Sequence, residues 1–82
     1  MTRDKIWEVL CRHVLDVLTD LQDDEIHPGQ NLRDLGANSL DRMDILVGAV
    51  DELHLKVPTA ALAATPTLGE LAERLHAHCE QP

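Results

Sequence analysis

The chain has 82 residues, and its fifteen acidic residues outweigh seven lysines and arginines to give a formal net charge of −8 at pH 7. A chain of this length buries only about 60–65% of the surface that its unfolded form exposes, so one domain with a modest core is expected and a deep enzyme cleft is not. The negative charge repels phosphate groups and Trp7 is the only Phe, Tyr or Trp, which argues against nucleic acids and anionic membranes as partners and favours a basic protein.

The first predicted element is an amphipathic helix from Arg3 to about Leu21. Its apolar residues recur at spacings of three or four, which places them on one face of a helix. The apolar content of the chain is aliphatic, and strand-forming aromatic residues are nearly absent, so an all-α fold is predicted. The apolar face comprises Ile6, Leu10, Val14, Leu18 and Leu21, widened by Val9 and Val17.

A long connection follows this helix. The helical periodicity is lost after Asp20, and the dipeptide Pro28-Gly29 is a strong turn signal. The rest of the connection reaches Asn38 and contains two leucines three positions apart, Leu32 and Leu35. We expect these two side chains to hold the loop against the core.

The second predicted helix begins at Ser39 and runs to about Leu53, with either Asn38 or Ser39 itself as its N-cap. Two neighbouring apolar clusters cover about 220° of its circumference, whereas a surface helix usually needs a stripe of somewhat over ~100°. Either the helix is buried on all sides, or part of one cluster is exposed and docks a partner. Asp51 and Glu52 lie in the last turn, where the helix dipole disfavours anions, and this placement fits steering of a basic partner. The clusters are Ile45, Leu46, Ala49 and Leu53, and Leu40, Met43, Val47 and Val50.

The C-terminal third of the chain contains signals for two further helices. Pro58 suits the first position of a short third helix that extends to about Ala63. Thr67, followed three positions later by Glu70, forms a capping-box pattern at the start of a Leu-rich fourth helix. The predicted architecture is an all-α four-helix bundle with three longer helices and a short third helix. It forms a single domain across residues 1–82, with a frayed tail from about residue 79.

Ser39 is open to three interpretations from the residues alone. It can help to cap the helix, which is the common role of a serine at such a position. A catalytic nucleophile is disfavoured, because the sequence around it lacks the G-x-S-x-G pattern and the chain offers little scaffold for a triad. A phosphate-linked group is chemically suited to the position, since a helix N-terminus offers unpaired N–H groups and a positive dipole end. The small residues Gly36 and Ala37 leave room for a modifying enzyme.

The segment from Leu32 to Asp41, LRDLGANSLD, closely resembles the attachment-site motif of acyl carrier proteins. The order of predicted elements is similar to that family along nearly the whole chain. The resemblance implies an acyl-carrier-type four-helix bundle in which Ser39 carries 4′-phosphopantetheine, whose thiol holds acyl groups as thioesters. It also implies a carrier, not an enzyme, whose second helix docks on a phosphopantetheinyl transferase and on acyl-loading and condensing enzymes. The implied docking residues are Asn38, Leu40, Asp41, Arg42, Met43, Asp44 and Val47.

The sequence departs from the common family pattern at two positions near the serine. Asn38 stands where the family usually has Asp, and Arg42 is a cation within a normally acidic docking surface. The run GANSLDR is similar to that of free-standing donor carriers in polyketide β-branching cassettes. This narrower resemblance implies an acetyl or propionyl cargo and, as partners, an HMG-synthase-like enzyme and a ketosynthase-like decarboxylase. It further implies that Arg42 meets a carboxylate on one specific partner.

Alternatives to this function stay open at the level of sequence. They are a carrier for general fatty-acid or nonribosomal assembly and an unmodified helical interaction module, with a small serine hydrolase as the weakest. The chain begins with charged residues and contains no apolar run of roughly 20 residues, so we expect a cytoplasmic monomer without a signal peptide. Cys11 and Cys79 match neither a disulfide framework nor a zinc motif and are expected to be free thiols.

A few other residues could be given a functional role, but a structural role explains them more simply. His76, His78 and Cys79 resemble metal ligands, yet residues 76 and 78 point to different sides of a helix. Cys11 is expected to be a small core residue, and Trp7 either packs against the core or is a semi-exposed anchor. Gly48 lies inside the second helix at a cost of about 1 kcal/mol relative to Ala. Close helix packing or room for the pantetheine arm would each explain it.

Overall fold

The computed structural model describes residues 2–57, 62 and 67–79. Within these residues all regular structure is helical, as predicted: three α-helices and one short 3-10 helix. The α-helices are α1 (Arg3–Val17), α2 (Ser39–Glu52) and α3 (Leu68–Cys79), and the 3-10 helix spans Asp23–Glu25. No helix in this part of the chain is long and apolar enough to cross a membrane.

The predicted short helix from Pro58 to Ala63 lies outside the described residues, except for Leu62, which is helical and buried. The fourth predicted helix is α3. It begins as its capping pattern predicts, with the Glu70 N–H donating to Thr67 Oγ1 at 3.2 Å. It ends at Cys79, and residues 80–82 of the predicted tail are outside the described range.

Helix α1 begins where the sequence predicts and ends one turn earlier. Thr2 caps its first turn by accepting a hydrogen bond from the Lys5 N–H at 3.2 Å. The helix stops at Val17 because the backbone of Leu18 leaves the helical region, with φ −102 and ψ 76. Leu18 and Leu21 still pack against the core, so the predicted end at Leu21 was wrong although the apolar pattern was correctly located. The apolar spacing indicates which side chains are buried and not the backbone conformation, because residues in a turn can also bury their side chains.

The connection from α1 to α2 is held down by its apolar residues. Leu32 is buried and Leu35 is half-buried against the core, which confirms the predicted role of both leucines. Backbone hydrogen bonds join this loop to the start of α3: the Leu68 N–H donates to Gln30 O and the Gly69 N–H to Pro28 O, both at 2.8 Å. The 3-10 helix in this connection was not predicted, because three residues are too few to show a period.

The core lies between α1 and the other two helices, both of which α1 contacts. Its aliphatic side chains come from all three helices and from the loop before α2. Burial of this kind is the main stabilising contribution in a domain with so few aromatic residues. The most deeply buried large side chains are Ile6, Leu10, Val14, Ile45, Leu46, Leu68 and Leu75.

The C-terminal half of α2 is bound tightly to α1. The Glu52 carboxylate pairs with the Arg12 guanidinium and contacts His13 Nε2 at 2.9 Å. A Cβ on Gly48 would lie only 2.6 Å from His13 Nδ1, so close helix packing, not room for an arm, explains this glycine. Glu52 therefore helps to hold two helices together and does not merely oppose the stability of α2, and its steering role stays a prediction. Asp51 beside it is exposed.

The end of α2 carries local backbone strain at His54. The His54 N–H donates to Asp51 O and the Leu55 N–H to Val50 O, both at 3.1 Å, which is the Schellman arrangement of a helix C-terminus. His54 is at the left-handed position of this motif, with φ 55, where a Cβ is unfavourable and glycine is preferred.

We therefore expect His54→Gly to raise the free energy of unfolding by about 0.5–1 kcal/mol, measured by urea denaturation. His27→Gly is the matched control, because His27 is also exposed and its φ is not positive. That control should lose about 0.4–1 kcal/mol, since glycine adds entropy to the unfolded chain. A loss of stability in both variants would contradict the proposed strain at His54.

Candidate attachment site at the start of helix α2

Ser39 is the first residue of α2 and is exposed. The helix is capped by its neighbour: Asn38 Oδ1 accepts from the Asp41 N–H at 2.8 Å, and Asp41 Oδ2 accepts from the Asn38 N–H at 3.2 Å. This reciprocal pair is a capping box, so Asn38 is the N-cap and the Ser39 hydroxyl is not needed for that role. Ser39 is also the only serine in the chain.

The hydroxyl of Ser39 has one charged neighbour. Arg42, three residues further along the same face of α2, donates from Nη2 to Ser39 Oγ at 3.2 Å. Among the residues that the structure describes, Arg42 forms no salt bridge. The guanidinium therefore lies beside the hydroxyl with its charge available to an anion.

The backbone around Ser39 also suits an anion. The first N–H groups of a helix have no partner within the helix, and here the capping box engages that of Asp41. Within the described chain, the N–H groups of Ser39 and Leu40 have no protein acceptor. Gly36, with φ 96, turns the chain into the helix, and a Cβ built on it would meet nothing within 4 Å. A phosphodiester on Ser39 thus fits the charge, the free donors and the open approach of this position.

The geometry does not fit a serine hydrolase. In the described residues the side-chain partner of Ser39 Oγ is Arg42, a group that stays protonated and cannot act as a general base. His13 contacts Glu52. Glu52 lies about 20 Å from Ser39 along α2, given the helical rise of about 1.5 Å per residue. The residues that a triad requires are therefore not assembled at this serine.

One of the two apolar clusters of α2 faces the core and most of the other faces outward. Ile45, Leu46, Ala49 and Leu53 are buried. In contrast, Leu40 is 77% exposed, Met43 36% and Val47 46%, and we call these three residues the α2 stripe. The prediction that part of one cluster is exposed is confirmed, and the alternative of a helix buried on all sides is wrong.

The predicted docking residues lie close to Ser39 along α2. The α2 stripe begins directly after Ser39, and Asp44 is exposed beside it. Asn38 is exposed, whereas Asp41 and Arg42 are half-buried and make the contacts with Asn38 and Ser39 described above. Leu40, Met43, Asp44 and Val47 thus lie on the exposed side of α2 and Asn38 lies at its start, whereas Arg42 points in the direction of buried Ala49 and Leu46, one to two turns before them.

The other reactive residues do not form a second site. No group of three or more His, Cys, Asp or Glu side chains suitable for a metal occurs among the described residues. Cys11 is buried, as predicted, and its burial together with the Asp23 carboxylate raises the pKa of the thiol to about 11. The thiol is therefore protonated at neutral pH and is a poor nucleophile. Trp7 packs half-buried against the core.

Comparison with known proteins finds relatives in both sequence and fold. The family described as the phosphopantetheine attachment site matches residues 8–75. The polyketide biosynthesis acyl carrier protein AcpK of Bacillus subtilis is 37% identical, with 93% of each chain covered. An acyl carrier protein of Clostridium perfringens is 27% identical over 95% of this chain and 97% of its own length.

A solved structure shows the same fold. It is the crystal structure of the HMG synthase of the curacin biosynthetic pathway in complex with acetyl donor-ACP. The matched chain is 27% identical, with a TM-score of 0.82 over 94% of this chain and 97% of that one. The present chain therefore belongs to the phosphopantetheine attachment-site family and is an acyl carrier protein, a carrier and not a catalyst, of the kind that bears a covalent 4′-phosphopantetheine.

Proposed function

We propose that Ser39 bears the 4′-phosphopantetheine of this carrier. The observation that supports this assignment most directly is the exposed hydroxyl of the chain's only serine on a helix that its neighbour caps. The thiol at the end of the arm holds an acyl group as a thioester. The protein's own contribution is to hold the phosphate end of the arm at the start of α2 and to present α2 to partner enzymes.

We further propose that the carrier serves polyketide biosynthesis as the donor of an acetyl or propionyl group for β-branching. The relative AcpK belongs to polyketide biosynthesis, and the matched solved structure contains an acetyl donor-ACP bound to an HMG synthase. The partners would be a phosphopantetheinyl transferase, an HMG-synthase-like enzyme and a ketosynthase-like decarboxylase. Arg42 and the uncharged Asn38 support this choice over a fatty-acid carrier, in which an Asp usually precedes the serine and the docking surface is normally acidic.

The docking surface in this proposal is the α2 stripe with its flanking charges. Exposed Leu40, Met43 and Val47 fall within an arc of about 60° at 100° per residue, so one flat partner surface can cover all three. Asp44 supplies a carboxylate beside them, and Arg42 supplies a guanidinium at the first turn, about 100° around the helix from Met43. Apolar contact would supply most of the affinity, and the charges would select the partner and its orientation.

Intact-mass measurement after co-expression with a broad-specificity phosphopantetheinyl transferase tests the attachment. The expected result is a mass gain of one phosphopantetheine arm, located by fragmentation on the peptide that contains Ser39. No mass gain would favour an unmodified interaction module. Hydrolysis of an activated ester by the purified chain would instead favour the serine hydrolase.

Arg42→Glu tests the proposed partner selection. Reversing the charge places a carboxylate against the partner's carboxylate, so acyl transfer to an HMG-synthase-like partner should fall by about tenfold or more. Loading by the phosphopantetheinyl transferase should fall much less. Arg74→Glu makes the same charge reversal on α3 and should leave both rates near those of the native protein. Equal losses in the two Arg42→Glu assays would contradict a partner-specific role.

A further inference from the structure

We propose that Arg42 is a positioning residue that binds the phosphodiester of the arm on its own chain, an inference that rests on the proposed attachment at Ser39. The arm's phosphate is thereby fixed against the first turn of α2 instead of swinging freely about the serine side chain. Among the described residues, Arg42 is the cation that contacts the serine hydroxyl, and we assign this role to it.

The existing contact places the guanidinium at the right atom. Arg42 Nη2 is 3.2 Å from Ser39 Oγ, and this oxygen becomes the ester oxygen when the arm is attached. The two non-bridging oxygens of the phosphodiester then lie one bond beyond the phosphorus, within reach of the same guanidinium edge. A phosphodiester is a stronger acceptor than a hydroxyl because it carries a full negative charge, so modification should strengthen the contact.

The carboxylate next to Arg42 in sequence is already engaged in a hydrogen bond. This carboxylate is that of Asp41, which directs Oδ2 to the Asn38 N–H as part of the capping box. Arg42 has no salt bridge within the described part of the chain, so binding of the phosphate breaks no ion pair there. Arg42 is also half-buried, which reduces screening of the new pair by solvent.

Two consequences follow for the carrier. First, the arm should leave the helix on the side of Arg42, which at 100° per residue lies about 100–160° around the helix from the three residues of the α2 stripe. Second, modification neutralises a cation on the docking surface, so the apo and holo proteins present different charges to a partner. A guanidinium has five N–H donors, and contact with the phosphate leaves some of them for a partner carboxylate.

The test compares apo and holo protein, after intact mass has shown that the arm is attached. In native protein the Arg42 Nε–H resonance should shift and its exchange with water should slow on modification. The phosphorus resonance of the holo protein should move toward that of the free phosphodiester in Arg42→Gln. Arg74→Gln removes the same charge from α3 and should leave the phosphorus resonance unchanged.

Thermal unfolding supplies a second measurement that does not depend on any partner enzyme. The holo form of the native protein should melt about 2–4 °C above the apo form. In Arg42→Gln this gap should shrink by at least about half, and Arg42→Lys should restore part of it.

The outcomes separate the two proposals. Absence of a mass gain overturns attachment at Ser39 and the role of Arg42 with it. A mass gain, with the Arg42 resonance unchanged on modification and the same melting gap in native protein and Arg42→Gln, overturns the role of Arg42 and leaves the attachment intact.

Discussion

Ser39→Ala is expected to abolish attachment of the arm completely while leaving the stability of the protein within about 0.5 kcal/mol of the native value. The hydroxyl is the group that the phosphate would esterify, and the chain has no other serine. The helix keeps its cap, because that cap consists of Asn38 and Asp41. Intact mass after co-expression with the transferase measures the first effect, and urea denaturation of the apo protein measures the second.

Asn38→Ala is the reciprocal control for Ser39. It removes the side chain that accepts the Asp41 N–H and should therefore lower the free energy of unfolding by about 1 kcal/mol. The serine hydroxyl remains, so the mass gain should remain as well. If Ser39→Ala lowered the free energy of unfolding more than Asn38→Ala does, Ser39 would be a structural cap. A mass gain in Ser39→Ala would show that the arm is attached to a residue other than Ser39.

Leu46→Ala is expected to lower the free energy of unfolding by about 2–5 kcal/mol. Leu46 is only 1% exposed, on the face of α2 that packs into the core. A domain of this size has a total stability of roughly 4–12 kcal/mol, so this single change can leave a large part of the protein unfolded at room temperature. Urea denaturation followed by far-UV circular dichroism measures the change.

Leu40→Ala is the matched control, since it is the same substitution on the same helix at a residue that is 77% exposed. It should change stability by less than about 0.5 kcal/mol, because little apolar surface is lost from the core and alanine is a good helix former. The same variant should weaken acyl transfer to partners, since Leu40 belongs to the α2 stripe. Similar losses of stability for both variants would show that α2 packs through the stripe as well.

Much of the fold and the site could be predicted from residues close together in the chain. The start of α2, its cap at Asn38 and the exposed serine after it depend on groups within four residues of one another. The apolar spacing of α1 and the two leucines that hold the loop also follow from local pattern, because helix geometry repeats every 3.6 residues. The motif around Ser39 then pointed to the family that the comparisons confirm.

Other features depend on contacts that join distant parts of the chain. The position of Glu52 in the last turn of α2 gives no sign that it binds Arg12 and His13, some forty positions earlier. Gly48 could be explained by packing or by an arm, and only the position of the His13 ring settles the choice. The early end of α1 likewise depends on how Leu18 and Leu21 turn toward the core.

The sequence by itself determined that this protein is a small helical carrier with its serine at the start of an apolar helix. Only the tertiary structure decided which side of that helix faces the core and which is left to a partner. The two clusters of α2 are equally apolar, so no local rule separates Leu46 from Leu40. Packing against α1 buries one and exposes the other. Ser39 and Arg42 lie three residues apart on one face of the first turn of α2, where the proposed arm would be held.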